Sequence, residues 1–515
     1  MKAISVKQMQ ELDRLSIEEA GIKGHVLMER AGIGTAIKIL EFIKRYNNKH
    51  IKRFVLLAGK GNNGGDAYVI AKYLSEHTDT NIIIYSICGL SELKGDAKYH
   101  SKLLPKSIYV EVKKTLNQDD FKKGDILIDA LLGTGFKGKL RAPYDNWINL
   151  INDSGCPVIA VDIPSGLNGN TGEILDEAVI ADYTVTMCLP KYGLLINRGP
   201  EFCGIIDVVG IGTPQEYIDN SESNFSFFTE IDAYKLIKRL PANCHKKSLG
   251  TVLVIGGSKL YPGAPFLAGT AALKSGAGLV TIAIPKSADN ISNYEHSLIL
   301  RKISDDNTGF FSKSSISELK ELINQHDVIV IGPGISTNES CYGVIKEILK
   351  LDKQIIIDAD ALNIISMQPN IFTKNNKFIY TPHPGEAKRL INGFKIDNKF
   401  INNRIKQCEE LSKKLNGTVI LKGNKTVVSN KGFTTSVNGS GCQALATAGS
   451  GDVLTGILAA NYAQMSNSFE SSCLAVFIHG KAGEIGQIKN GSRGLTADDL
   501  INFISDAYKE VSPFA

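Results

Sequence analysis

Ala448-Gly449-Ser450-Gly451-Asp452-Val453-Leu454-Thr455-Gly456 is the stretch on which the fold turns. Small residues lead to an acid, and an apolar helical pattern follows. Such a turn presents bare backbone N–H groups at a helix N-terminus, where they stabilise anions. The helix dipole adds a positive field at the same point. Asp452 then sits in the first turn, where a carboxylate can take a proton from a substrate hydroxyl while the N–H groups hold charge developing on a phosphoryl group. The same residues also suit a glycine-rich helix entry with a stabilising acid and no chemistry, so the rest of the chain has to decide.

Upstream, one apolar strand after another ends in polar or glycine residues. Thr251–Ile255 runs into Gly256-Gly257-Ser258, and Val328–Ile331 into Gly332-Pro333-Gly334. Ile355–Ile357 ends in Asp358-Ala359-Asp360, Phe378–Tyr380 in Thr381-Pro382-His383-Pro384-Gly385-Glu386, and Val419–Leu421 in Lys422-Gly423-Asn424-Lys425-Thr426. Helical sequence separates them, as in Ala264–Ser275, which closes at Gly276. In open parallel sheets the strand carboxyl ends carry the ligand crevice. His383, flanked by prolines at such an end, is a candidate crevice residue. Lys422 suits nucleotide phosphates or simple solvation.

The first half repeats the layout. Arg53–Ala58 reads as a buried strand, followed by Gly59-Lys60-Gly61-Asn62-Asn63-Gly64-Gly65-Asp66 and a helical pattern from Ala67 to Leu74. Strand, glycine-rich turn and helix form a phosphate-site layout, although neither a Rossmann GxGxxG nor a Walker loop is present. Asp129 precedes Ala130-Leu131-Leu132-Gly133-Thr134-Gly135-Phe136 and Asp162 precedes Ile163-Pro164-Ser165-Gly166, each at the end of an apolar strand. Two such acids beside the Asn62/Asn63 turn read as one site, within reach of Lys191 after the strand Tyr183–Leu189. At the N-terminus, Ser5 and Gln8 match a capping box opening a helix to about Glu19.

The fold class is therefore α/β, with two doubly wound αβα domains, at 1–214 and 225–515. The polar segment 215–224 reads as a linker. A chain of 515 residues exceeds one ordinary core, and its 43% hydrophobic and 22% charged content is that of a globular protein. The net charge of +5 comes without a basic run, which argues against nucleic-acid binding. Nine scattered cysteines without a CxxC pair point to reduced thiols in a cytoplasmic protein and away from zinc. The N-terminus lacks the apolar core of a signal peptide, and no apolar run is long enough to span a bilayer.

Taken in order, these motifs resemble a known pair of domains. Lys60–Asp66, Asp129–Gly135, Val161–Gly166 and Lys191-Tyr192-Gly193 look like the NAD(P)H-hydrate epimerase domain. Asp358–Leu362, Thr381–Glu386, Leu421-Lys422-Gly423 and Gly449–Asp452 look like the ADP/ATP-dependent NAD(P)H-hydrate dehydratase, a relative of ribokinase-type kinases. Together they resemble the fused NAD(P)H-hydrate repair family over nearly the whole chain, with a Rossmann-like first domain and a ribokinase-like second.

The resemblance implies that the first domain interconverts the R and S hydrates of NADH and NADPH, and that the second dehydrates the S form at the expense of ADP, giving AMP and phosphate. It implies that Asn62, Asn63, Gly64, Gly65 and Asp66, with Gly133, Thr134, Gly135 and Phe136, cradle the first substrate. It makes Asn63, Asp129 and Ser165 potassium ligands, and hard oxygens suit such an ion. Asp162 becomes a substrate contact and the general base or acid of epimerisation. In the second domain Ala264, Gly334, His383 and Asp452 match hydrate-binding positions, with Asp358 and Asp360 lining the same crevice. Lys422, Gly423, Asn424, Lys425, Thr426 and Gly451 match the nucleotide site, and Asp452 the kinase-like base, with Mg²⁺ offsetting phosphate charge. The family likeness also implies a homo-oligomer. One departure stands out: the family's NPGMATGGTGD is here Cys442-Gln443-Ala444-Leu445-Ala446-Thr447-Ala448-Gly449-Ser450-Gly451-Asp452. The rival readings are a ribokinase-like small-molecule kinase fused to a nucleotide-binding domain, and an interaction module built on an epimerase-like scaffold.

Overall fold

The computed structural model describes residues 1–45, 51–136, 138–288, 294–397 and 403–513. The chain divides into two compact units, Met1–Asn224 and Phe225–Ala515. Among the described residues no helix is long and apolar enough to cross a membrane.

The first unit is a seven-stranded parallel sheet built from β1 (Arg53–Ala58), β2 (Asn81–Ser86), β3 (Tyr109–Val112), β4 (Asp125–Ala130), β5 (Val158–Val161), β6 (Tyr183–Met187) and β7 (Ile205–Val209). Its order is β3-β2-β1-β4-β5-β6-β7. The central strands β4 and β5 are buried at every position, as helices on both faces of a parallel sheet require. Leu56, Ile128 and Ile159 pack on one face, and Val55, Leu57, Leu127 and Trp147 on the other. The order reverses between β1 and β4, so the crevice outside their carboxyl ends is the place for a ligand.

Two local expectations change here. The Asn62–Asp66 run is not a loop but the start of the helix Asn62–His77. Its glycines are needed for close approach: a Cβ on Gly64 would lie 2.0 Å from the Gly59 carbonyl oxygen. The segment 215–224, expected as a linker, belongs to the first unit. Gln215–Asn220 is helical, with Tyr217 and Ile218 packed on the cluster around Ile4 and Met9. Lys2 Nζ donates to the carbonyls of Ile218, Asp219 and Ser221. The polar residues Gln215, Glu216, Asp219 and Asn220, part of what suggested a linker, are the outward face of that helix.

The N-terminal helix Val6–Glu18 starts at the Ser5–Gln8 capping box. Ile4 N–H donates to the Pro190 carbonyl (3.0 Å), and Tyr192 N–H donates back to the Ile4 carbonyl (2.8 Å). These bonds dock the helix beside the strand end that carries Lys191.

The second unit contains β8 (Ser226–Phe228), β9 (Thr251–Ile255), β10 (Leu279–Pro285), β11 (Ile299–Ile303), β12 (Val328–Ile331), β13 (Gln354–Ile357), β14 (Phe378–Tyr380), β15 (Thr418–Leu421), β16 (Val427–Ser429) and β17 (Ser436–Asn438). They form one sheet in the order β11-β10-β9-β12-β13-β14-β15-β16-β17-β8. It is parallel from β11 to β15; β16 runs antiparallel to both β15 and β17, and β17 pairs parallel with β8. The order reverses between β9 and β12, again defining a crevice. Helix Ser450–Met465 crosses the core against helix Ala264–Lys274. They approach so closely that a Cβ on Gly456 would lie 2.1 Å from the Ala268 carbonyl oxygen. The small residues of both helices permit this approach, and it brings the helix bearing Asp452 to the sheet edge.

Candidate active sites

In the first unit, Asn63, Asp129 and Ser165 meet at the switch point. Asp129 is fully buried. One carboxylate oxygen accepts from Ser165 Oγ (2.6 Å) and Leu131 N–H (3.2 Å), and the other from Ser165 N–H (2.8 Å). Burial pushes its carboxyl up to about 6, with the Ser165 and Leu131 bonds pulling the other way. Asn63 Nδ2 donates to the Leu132 carbonyl (3.1 Å). Asn63 Oδ1 is buried and has no hydrogen-bond partner among the described residues. A buried amide oxygen without a donor, beside a carboxylate and a hydroxyl, is a hard-oxygen set that fits a potassium ion. Gly133 lies against the same asparagine: a Cβ there would be 3.3 Å from Asn63 Cβ. The backbone turns through Thr134 and Gly135 and is closed by a bond from Phe136 N–H to the Gly133 carbonyl (3.1 Å).

Asp162 stands directly after β5 with φ 67°, in the left-handed region that an Asp tolerates but rarely adopts. Its Oδ1 accepts from Lys191 Nζ (2.5 Å), Thr186 Oγ1 (3.1 Å) and Met187 N–H (3.2 Å). Lys191 is only 1% exposed and also donates to Thr186 Oγ1 (3.1 Å) and the Met187 carbonyl (2.9 Å). Asp66 and half-buried Asp13 face the same charges. Asp13 and Thr186 carry no mark in the sequence. Asp13 lies in a polar helix, docked at the site by the bonds at Ile4 and by packing of Met9 and Leu12 in one cluster with Leu189 and Ile211.

In the second unit the hub is Asp358, 1% exposed at the end of β13. It accepts from Thr381 Oγ1 (2.6 Å) and Lys422 Nζ (3.0 Å) on one oxygen, and from Thr455 Oγ1 (2.7 Å) on the other. Burial pushes its carboxyl up, but Lys422 and these bonds outweigh burial and hold it below the usual range. Lys422 is driven the opposite way by the same pairing: burial lowers it, and Asp358 and Glu386 more than restore it. Gly451 sits beside this lysine, since a Cβ there would lie 3.4 Å from Lys422 Nζ.

Gly449, at φ 83°, is the N-cap of helix Ser450–Met465, and its carbonyl accepts from Val453 N–H. Gly451 and Asp452 occupy the second and third helical positions, whose N–H groups have no partner within the helix. Burial, then the charge of Asp358, pushes the Asp452 carboxyl up to about 7, and Lys422 opposes this. Buried His479, held near 4 by burial and therefore neutral, has Nε2 3.0 Å from the Ser450 carbonyl oxygen, steadying the first turn.

The unusual run folds as a 3₁₀ turn, Gln443–Leu445. It is anchored to helix Ser468–Asn490 by Gly441 N–H to Glu484 Oε1 (2.9 Å) and Ala444 N–H to Gln487 Oε1 (3.2 Å). Leu445 lies over Gly483. The approach to the anion hole is thus held by side chains of another helix.

Gly334, at φ 66°, and Ala264 are brought together: a Cβ on Gly334 would lie 3.3 Å from that of Ala264 and 2.4 Å from the Tyr261 carbonyl oxygen. His383 caps the helix Pro384–Gly393, its ring half exposed and 3.5 Å from Glu386. Burial, Lys422 and Arg389 hold the imidazole below its ordinary value, so it is neutral. Glu386, not among the sequence candidates, is buried and pushed up to about 7, chiefly by burial. Asp360 accepts from Ser336 N–H (2.9 Å) and Asn363 Nδ2 (3.3 Å). The Lys422–Thr426 loop is tied down by Arg404, which donates to the carbonyls of Leu421, Lys422 and Asn424. Within it Lys425 is buried, while Asn424 is exposed.

Comparison with known proteins agrees with this division. A family described as YjeF-related protein N-terminus matches residues 24–193, and one described as NAD(P)H-hydrate dehydratase matches residues 252–506. The bifunctional NAD(P)H-hydrate repair enzyme of Moorella thermoacetica is 33% identical, over 98% of this chain and 96% of its own. That of Archaeoglobus fulgidus is 34% identical over the full length of both. Among solved structures, an ADP/ATP-dependent NAD(P)H-hydrate dehydratase from Bacillus subtilis, co-crystallised with ATP/Mg²⁺, is 25% identical over 56% of this chain and all of its own, with a TM-score of 0.46. The chain belongs to the family of bifunctional NAD(P)H-hydrate repair enzymes.

Proposed function

We propose that the first unit interconverts the R and S hydrates of NADH and NADPH, and that the second returns the S hydrate to NADH or NADPH at the expense of ADP, releasing AMP and phosphate. The observation that carries this reading is the pairing of a poised carboxyl, Asp452 at about 7, with an amide-lined helix start in a chain of this family.

In the second unit Asp452 takes the proton of the hydrate hydroxyl as that oxygen attacks the terminal phosphorus of ADP and AMP departs. The N–H groups of Gly451 and Asp452 hold the charge that develops on phosphate. Phosphate leaves more readily than hydroxide, so the ring nitrogen's lone pair expels it. Loss of a proton from the neighbouring carbon then restores the ring double bond. Lys422, fixed by Asp358, lies beside the phosphates, and Gly423, Asn424, Lys425 and Thr426 border the nucleotide with their backbone. Gly334, Ala264 and His383 border the hydrate. The buried carboxyl of Glu386 is a hard oxygen ligand suited to Mg²⁺, and the ion would offset the charge of the nucleotide phosphates.

In the first unit Asn62–Asp66 and Gly133–Phe136 border the substrate, and Asp162 exchanges protons with it. K⁺ would be held by Asn63 Oδ1, Asp129 and Ser165, where it supplies positive charge beside the substrate's phosphates. Nine cysteines without a disulfide suit a reducing cytoplasm.

The test uses the full chain with purified S hydrate. Adding ADP should restore near-ultraviolet absorbance with one phosphate released per molecule, and ATP in a parallel run sets the nucleotide preference. Accumulation of a stable phosphoester with no return of absorbance would make the second unit a small-molecule kinase instead.

A further inference from the structure

The ionisable groups of the first unit fall into two environments, and the mechanism so far uses one of them. Asp162 is the well-supplied carboxylate. Three donors converge on its Oδ1, while Oδ2 accepts no hydrogen bond among the described residues. Asp66 is the starved one. It is 6% exposed, and no donor reaches its carboxyl among the described residues. The cation that acts on it among the described residues, Lys191, is committed to Asp162, Thr186 and Met187.

Resting on the epimerase reading above, we propose that Asp66 is the acid of the epimerisation, that Asp162 is its base, and that Asp13 keeps Asp66 protonated. The physical case is the separation of two carboxyls by their surroundings. Burial, then the charges of Asp162 and Asp13, pushes Asp66 well above the usual carboxylate range, with Lys191 opposing too weakly to reverse it. Asp13 itself is pushed up to about 6, first by burial. Asp13 on helix Val6–Glu18, Asp162 after β5 and Lys191 after β6 face Asp66, and Cys188, also after β6, faces those same three groups. Cys188, whose thiol is raised by burial and bonded to Thr213 Oγ1, stays neutral.

The hydrates differ only in which face of the ring carbon bears the hydroxyl. Asp66 gives its proton to that hydroxyl as the carbon–oxygen bond breaks. The ring nitrogen's lone pair forms the carbon–nitrogen double bond, and water departs. Water then adds to the opposite face, the double-bond electrons return to nitrogen, and Asp162 takes the proton released. Return of that proton from Asp162 to Asp66 resets the pair, and the reverse reaction exchanges the two roles.

The experiment follows R-to-S exchange of the NADH hydrate on the full chain without nucleotide, by chromatographic separation of the two forms, across pH. Wild-type exchange should fall at alkaline pH as Asp66 ionises. Asp66→Asn should lose about a hundredfold or more, the share of a general acid. Asp13→Asn removes one like charge, so its alkaline limb should move down by about one pH unit, and Asp13→Glu should restore it. A merely structural Asp13 would change the rate at every pH and leave the limb in place. Asp13→Asn with the wild-type limb, or Asp66→Asn at the wild-type rate, overturns the assignment. Should Asp66→Asn fail to fold, Asp13→Asn at its more open position carries the test alone. Absence of exchange in the wild type would overturn the epimerase reading itself, and the assignment with it.

Discussion

Replacing Asp452 by Asn should stabilise the second unit and disable it at once. Burial, then the charge of Asp358, lifts this carboxyl from 3.8 to about 7. In the unfolded chain it ionises near its ordinary value. Between about pH 4 and pH 7 the folded form therefore holds a proton that the unfolded form has released, and stability declines as pH rises across that window. The shift is about three units at about 1.4 kcal/mol each, an upper bound of about 4 kcal/mol above neutrality. Water at the mouth of the site screens part of this, leaving about 2 kcal/mol. Asn carries no charge to desolvate, so the variant should melt roughly 4–8 °C higher near pH 8. The advantage should vanish near pH 4, where Asp452 is protonated in both states. Nucleotide-dependent dehydration should meanwhile fall by about 10²–10⁴. Scanning calorimetry of the full chain reads the first effect, with the second unit's transition identified by its rise on adding ADP. Recovery of near-ultraviolet absorbance reads the other. A variant that melts no higher than wild type near pH 8, or that repairs the hydrate at the wild-type rate, would refute the reasoning.

Three further outcomes are expected. Thr455→Val deletes the 2.7 Å bond to fully buried Asp358 while keeping the side chain's shape, and should destabilise the second unit by about 1.5–3 kcal/mol in denaturant titration, whereas Thr455→Ser should not. Asp162→Asn should slow R-to-S exchange by about 10²–10⁴ while dehydration of pure S hydrate continues unchanged, measured with one preparation in the two assays. Exchange should depend on potassium. Asn63→Ala, which removes the unpartnered buried oxygen, should raise the half-saturating potassium concentration about tenfold, and a salt titration in which the two proteins coincide would remove Asn63 from the site.

What the sequence displays and what it conceals follow from the same geometry. A central parallel strand is apolar throughout, because both faces are covered, and it must stop where the chain meets the ligand. Asp129, Asp162, Asp358 and Lys422 therefore appear as abrupt polar residues after apolar runs, and the structure seats each at a strand's carboxyl end. Edge strands carry no such contrast. Tyr109–Val112 and Ile299–Ile303 mix exposed and charged residues, and the short antiparallel pair Val427–Ser429 and Ser436–Asn438 has too few residues to show a period. The partners that set the charge of each site are hidden for another reason. Thr455 accompanies Asp452 on one helix and looks like any β-branched core residue until β13 delivers Asp358 to it, 97 positions away in sequence. Asp13 occupies one polar position among many in its helix, and nothing local separates it from Glu11 or Glu18, which are paired with Arg14 on the solvent side. Both sites thus rest on the same division: a carboxylate supplied with donors (Asp162, Asp358) stands near a carboxyl deprived of them (Asp66, Asp452). The first kind can be read from where a strand ends. The second is created by burial and by distant neighbours, and only the folded chain supplies those.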